Sequence, residues 1–178
     1  MSTRKIAFAA VIAAVYAALT ILLMPISYGP VQFRISEVLC ILPFFFPFSV
    51  WGLFVGCILA NLLSAYGALD IVFGSLATLT AAYLTMRLGR EDKGSLKTKI
   101  FACLPPVFIN GIVVGALIAY ETTTSLDAFW PAFMVNGLQV GFGELVVLFA
   151  LGLPALIFLP RTNIFKTLIA LYRGNAPQ

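Results

Sequence analysis

VQFRISE, residues 31–37, is a polar island between two hydrophobic blocks, and the fold turns on how it is read. Its two charges, Arg34 and Glu37, stand three residues apart and become neighbours if a helix begins here. The apolar run that follows, residues 35–46, contains Pro43 and is closed by Pro47. As an α-helix it spans only about 18 Å, well short of the roughly 30 Å hydrocarbon core of a bilayer. It cannot cross a membrane alone unless the preceding stretch ISYGPVQ, residues 26–32 with its Gly29–Pro30 turn, dips inward. Irregular backbone at that depth is tolerated only where protein or a water-filled cavity satisfies it. The island therefore reads as the mouth of a ligand cavity.

Composition supplies the membrane. The chain has 178 residues, 61% hydrophobic and 10% charged, with a mean hydropathy of +1.03. Soluble domains carry about 25% charged residues, so lipid is the expected solvent for most of this surface. One domain, residues 1–178, is expected at this length. There is no histidine, which removes the commonest general base and metal ligand. Cys40, Cys57 and Cys103 sit singly in apolar segments and read as small buried hydrophobes rather than a disulfide or zinc set. No GxxxxGK[ST] loop is present, so ATP hydrolysis through a P-loop is not expected. Neither an enzyme activity nor a metal, cofactor or nucleic-acid partner is expected.

The N-terminus has the charge layout of a signal peptide. Its apolar run is long enough to span a bilayer, and it reads as a retained first helix. Helices are predicted at about 5–24, 35–46, 48–65, 70–88, 98–120 and 131–159. Charge decides whether residues 35–65 cross once or twice. With two crossings Arg4, Lys5, Arg87, Arg90, Lys93, Lys97, Lys99, Arg161, Lys166 and Arg173 all fall on one side. That places ten of eleven basic residues in the cytoplasm, as positive-inside orientation requires. The expected architecture is an all-α integral membrane protein of six transmembrane helices with both termini cytoplasmic. Glu91 and Asp92 share that side, and residues 121–130 form a polar outer loop closed by Trp130, an interface anchor.

Candidate binding residues are the polar groups at membrane depth: Arg34, Glu37, Asn61, Asp70, Asn110, Asn136, Gln139 and Glu144. A carboxylate inside a span is costly and faces a partner or a cavity. Asn136, Gln139 and Gly143 share a helical face, with Glu144 at its edge. Structural readings stand beside these. Asp70 suits a helix N-cap, Asn110 and Glu144 can bond each other across helices, and Glu37 can pair with Arg34. Gly111 with Gly115, and Gly137 with Gly141, read as packing seams. Acids and amides converging beside Phe33, Tyr66 and Trp130 suit a planar, hydrogen-bonding solute. The first helix carries two alanine ridges, Ala9, Ala13, Ala17 and Ala10, Ala14, Ala18. Small residues four apart allow close helix approach in lipid, either inside the bundle or against another subunit.

QFRISE after an alanine-rich helix, the proline-bounded helix to Pro47, and GALDIVFGSLATL at residues 67–79 together resemble the QueT family. These are substrate-binding S components of energy-coupling-factor (ECF) transporters, a class of ABC importer. The resemblance implies a six-helix S component in a bacterial cell membrane that captures a queuosine precursor, a 7-deazaguanine such as 7-aminomethyl-7-deazaguanine. It further implies a transmembrane coupling subunit and two cytoplasmic ATPases as partners, with the alanine ridges as docking face and toppling as the release step. A carboxylate, Glu37 or Glu144, would accept the N1 and 2-amino donors; Gln139, Asn61 or Arg34 would donate to O6; Asp70 would meet an aminomethyl ammonium. An S component for another vitamin, or a membrane enzyme or scaffold using Glu144 and Asp70, are the alternatives.

Overall fold

The computed structural model describes residues 3–29, 31–91 and 94–173. Met1, Ser2, Pro30, Asp92, Lys93 and residues 174–178, the last within the expected domain 1–178, lie outside the described residues. Helix α1 runs Thr3–Leu22, and a single turn at Met24–Ser27 follows, entered through Pro25. A 3-10 helix, Ile35–Phe44, leads to α2, Ser49–Asn61. Three long helices follow, α3 Gly67–Arg90, α4 Leu96–Thr122 and α5 Leu126–Arg161. A final helix α6 covers Asn163–Arg173. Helices α1, α3, α4 and α5 are long and apolar enough to cross a membrane. No strand occurs among the described residues.

The run expected as a 12-residue α-helix winds instead as 3-10 over ten residues. The tighter winding rises about 2.0 Å per residue, so the segment reaches roughly 20 Å. It also eclipses side chains at i and i+3, stacking Glu37 over Cys40 over Pro43. All three are buried. The chain enters this helix along an extended stretch in which Gln32 holds a positive φ of 50°. That stretch lies directly on α5: a Cβ added at Gly143 would strike the Val31 carbonyl and lie 2.9 Å from that of Gln32. Gly143 stands 17 residues past the start of α5, about 25 Å along its axis, so Val31 and Gln32 lie far along that helix.

Residues 48–65 are expected to be long enough to span unaided; α2 is not, its thirteen residues reaching about 20 Å, so a crossing here requires a locally thinner bilayer. Past Asn61 the backbone tightens into turns, Leu63 N donating to the Ala60 carbonyl at 3.2 Å and Ser64 N to that of Asn61 at 3.1 Å. Helix α3 starts at Gly67, whose φ of +57° turns the chain, so Asp70 is not an N-cap. It lies inside the helix, in a π-helical turn at Asp70–Gly74. The outer loop 121–130 is also shorter than expected. Helix α5 begins at Leu126, capped where the Ala128 amide donates to the Ser125 hydroxyl at 3.3 Å. In α4 the helical pattern breaks at Cys103, ahead of Pro105–Pro106. Pro106 cannot donate to the Ala102 carbonyl, and that oxygen accepts from Thr85 at 3.0 Å instead.

Two close seams hold the bundle. Ala9, Ala13 and Ala17 are buried against α2, where a Cβ on Gly52 would come within 2.5 Å of the Ala9 carbonyl and one on Gly56 within 2.8 Å of Ala13's. Ala10, Ala14 and Ala18 are exposed. The two ridges thus have different surroundings, and only one is free for an outside partner. The glycine pairs form the second seam, with a Cβ on Gly115 falling 2.5 Å from the Gly137 Cα. Helix α6 was absent from the sequence reading, which ended at residue 159. It is too short to span and packs across the bundle end. Phe165 stacks edge-on to Phe45 and Phe46, and Tyr172 meets Phe8, Phe46 and the Phe48 amide, the last at 3.0 Å.

Candidate functional site

The buried polar residues of five segments meet around the 3-10 helix. Arg34 is 3% exposed, with extended backbone (ψ 92°), so it precedes the helix rather than joining it. Its guanidinium therefore swings away from Glu37. It pairs with Asp70 of α3 at 3.7 Å, donates to Asn61 Oδ1 of α2 at 3.3 Å and lies over the Tyr28 ring at 5.0 Å. Asn61 in turn donates to the Asp70 carbonyl at 2.9 Å, which fastens the end of α2 to the π-turn of α3. In that turn Gly74 leaves room for the Asp70 carboxyl, which a Cβ would meet. The inserted residue of a π-turn re-aims its side chains, and here Asp70 faces inward.

Glu37 is fully buried and has different partners. Tyr16 of α1 donates to it, and Cys40, eclipsed one turn on, donates its thiol at 2.9 Å. One turn along α1, Thr20 and Ser36 share a 2.6 Å hydrogen bond. Cys57 accepts from Asn61 at 3.4 Å and from Thr78 at 3.3 Å. The expected Arg34–Glu37 pair is thus replaced by two separate arrangements, for the geometric reason that only one of the two residues is helical. Across the 3-10 helix, Asn110 of α4 donates to Glu144 of α5 at 2.7 Å. Gly143, the neighbour of Glu144, packs on the Val31 and Gln32 carbonyls, which brings this pair beside the entry to the 3-10 helix and so to the same cluster.

Two features of the cluster are chemical rather than structural. It holds one guanidinium against three carboxyls, and burying uncompensated charge is expensive. It also keeps polar atoms without protein partners. Arg34 Nε is an unmatched donor; Asp70 Oδ1, Asn110 Oδ1 and Glu144 Oε2 are unmatched acceptors. Buried polar groups are nearly always paired, so each orphan needs an account.

A model of the QueT transporter family matches residues 6–161, a range that contains every residue of the cluster. The chain belongs to the QueT transporter family. Part of it is 40% identical, over 79 residues, to the protein named queuosine precursor transporter QueT of Lactococcus lactis subsp. cremoris (strain MG1363). That match covers 43% of this chain and 46% of the relative, so it spans about half the relative's length. No solved structure matches. A member of this family with several membrane-length helices, the chain is a multi-pass membrane protein.

Six of the eight candidate residues come together in the structure: Arg34, Glu37, Asn61, Asp70, Asn110 and Glu144. Asn136 and Gln139 do not join them. Both are half-buried, and Asn136 donates to the Ala132 carbonyl of its own helix at 2.8 Å. Trp130 is 63% exposed and meets Phe129 and Phe133 edge-on, while Tyr28 supplies the aromatic face beside Arg34. Sequence reasoning passed over Tyr16, Thr20, Tyr28, Ser36, Cys40 and Cys57. Tyr16 and Thr20 carried a usable signal, being polar residues four apart, hence on one face, in an otherwise apolar span.

Proposed function

We propose that this chain is the substrate-binding subunit of an ECF-type importer and captures a queuosine precursor, a 7-deazaguanine such as 7-aminomethyl-7-deazaguanine. The observation that carries this reading is the set of orphaned polar atoms within a cluster rich in carboxyls. A deazaguanine offers donors at N1 and the 2-amino group and an acceptor at O6. Glu144 Oε2 and Asn110 Oδ1 accept from the donor edge, and Arg34 Nε donates to O6. Asp70 Oδ1 meets the aminomethyl ammonium, whose positive charge offsets the surplus of acid. Glu37 and Asn61 hold these groups in place, since their own bonds are taken within the protein.

The reading includes six membrane crossings with both termini cytoplasmic. It is supported by the packing of Tyr172 against Phe8 and by Lys5 lying 5.6 Å from the Tyr172 ring, which bring the two ends of the chain to one end of the bundle. Thermal unfolding of the purified protein against a panel of vitamins and deazapurines tests the ligand. A deazaguanine at about 100 times its Kd should add about 2.7 kcal/mol of stability. No shift with any deazaguanine beside a clear shift with another vitamin overturns the assignment.

Release requires a coupling subunit with two ATPases. The exposed ridge Ala10, Ala14, Ala18 is the docking stripe, beside an apolar groove of about 540 Å³ bordered by Ile6, Ala10, Trp51 and Val55. Ala14→Leu with Ala10→Leu should abolish co-purification with the coupling subunit while leaving the ligand-induced shift unchanged. Persistent co-purification would move the docking face elsewhere. Ala13 is unsuitable for this test, because it is buried against Gly56.

A further inference from the structure

At the end of the bundle that carries α6, a cleft of about 370 Å³ opens between α4, α5 and α6. Its walls are Phe45, Ile157, Phe165 and Ile169, and its charged lining is Lys99 and Arg161. The Arg161 guanidinium is steadied over the Phe158 ring at 5.5 Å. Neither cation has a carboxylate partner among the described residues, where the ion pair present is Arg34–Asp70. Beside the cleft, α6 turns a second apolar edge outward: Ile164 is 77% exposed, Leu168 38% and Leu171 47%. These lie at i, i+4 and i+7, one stripe of a helix whose neighbouring stripe, Phe165 and Tyr172, about 100° round the axis, is packed on the bundle.

We propose that this cleft binds an anionic phospholipid, the phosphate between Lys99 and Arg161 and the glycerol and upper acyl chain along Phe45, Ile157 and Ile169. The helix α6 then lies in the interfacial plane, its outer stripe against the acyl boundary, as amphipathic interfacial helices do. Two unpaired cations above an apolar wall match an amphiphile with a negative head, and a basic pocket between helices at a membrane surface is suited to such headgroups. A free phosphate would satisfy the cations and leave the apolar wall unused. A zwitterionic lipid would bring its own cation toward Lys99 and Arg161. The commitment is therefore to an anionic lipid.

Delipidated protein in neutral detergent, titrated with phosphatidylglycerol, phosphatidylcholine or inorganic phosphate and followed by thermal unfolding, tests this. Phosphatidylglycerol should stabilise saturably, with the other two giving little. Lys99→Ala with Arg161→Ala should weaken its apparent affinity roughly 30-fold, equivalent to about 2 kcal/mol at about 1 kcal/mol per cation. Lys97→Ala with Lys166→Ala, basic residues on the same end but outside the cleft, should change it little. If the double variant does not fold, Lys99→Met alone should weaken binding about fivefold. Equal stabilisation by phosphatidylcholine, a full effect from inorganic phosphate, or an equal loss in the Lys97 and Lys166 variant would each overturn the proposal.

Discussion

Arg34→Met should lower the stability of the unliganded protein by about 3–5 kcal/mol, the cost of stranding one member of a buried ion pair. Asp70 is 1% exposed, and its other carboxyl oxygen already lacks a partner, so removal of the guanidinium leaves the whole carboxylate uncompensated. Asn61 Oδ1 loses its donor in the same step, which loosens the fastening between α2 and α3. The pair as a whole behaves differently from its halves. Replacing both partners with apolar side chains of similar volume is often neutral or better. Arg34→Met combined with Asp70→Leu should therefore recover most of the lost stability, while the ligand-induced thermal shift stays absent. Chemical unfolding in detergent of both variants, with and without the deazaguanine, reads the two quantities separately. A single variant that loses less than about 1 kcal/mol would show that the pair is solvated in the native protein.

Glu144→Gln should weaken substrate binding by roughly 10- to 150-fold, the range of 1.5–3 kcal/mol for a hydrogen bond to a charged group. The glutamine amide oxygen still accepts from Asn110 Nδ2, so the strut between α4 and α5 survives. The unliganded protein should hold its stability, because a neutral side chain replaces a buried acid at nearly constant shape. Calorimetric titration beside unfolding separates the outcomes. Unchanged affinity would make Glu144 a partner of Asn110 and nothing more.

The helical membrane character of the chain was legible from composition, and the close packing of Val31 and Gln32 on α5 is in keeping with the length argument: too few residues, too much depth. The six clustered candidate residues followed from one rule, that polar groups inside apolar spans face something. That rule misplaced Asn136 and Gln139, because the length of α5 lets a face continue past the cluster, and Asn136 is satisfied by its own helix. Pairing was the least legible. Spacing put Glu37 beside Arg34, yet the boundary of the 3-10 helix falls between them. The inward turn of Asp70 depends on a π-helical insertion that leaves no mark on hydropathy. Cys40 and Cys57 read as small hydrophobes and are indeed buried and unbridged, but their sulfurs also close polar contacts. The alanine ridges looked equivalent in sequence. Only the glycines of α2 distinguish them, by drawing in Ala9 and Ala13 and leaving Ala10 and Ala14 outside.

The unequal lengths of the helices bear on the bilayer itself. On one flank α2 reaches about 20 Å, while on the other α4, with 27 residues, and α5, with 36, reach about 40 and 54 Å. No membrane of uniform thickness matches both flanks. Lipid must thin beside the short helix, or the long ones must lean, and each ångström of mismatch costs a fraction of a kcal/mol. The protein therefore carries a built-in elastic asymmetry. Its resting tilt, and the work needed to change that tilt, should depend on the acyl length of the surrounding lipid.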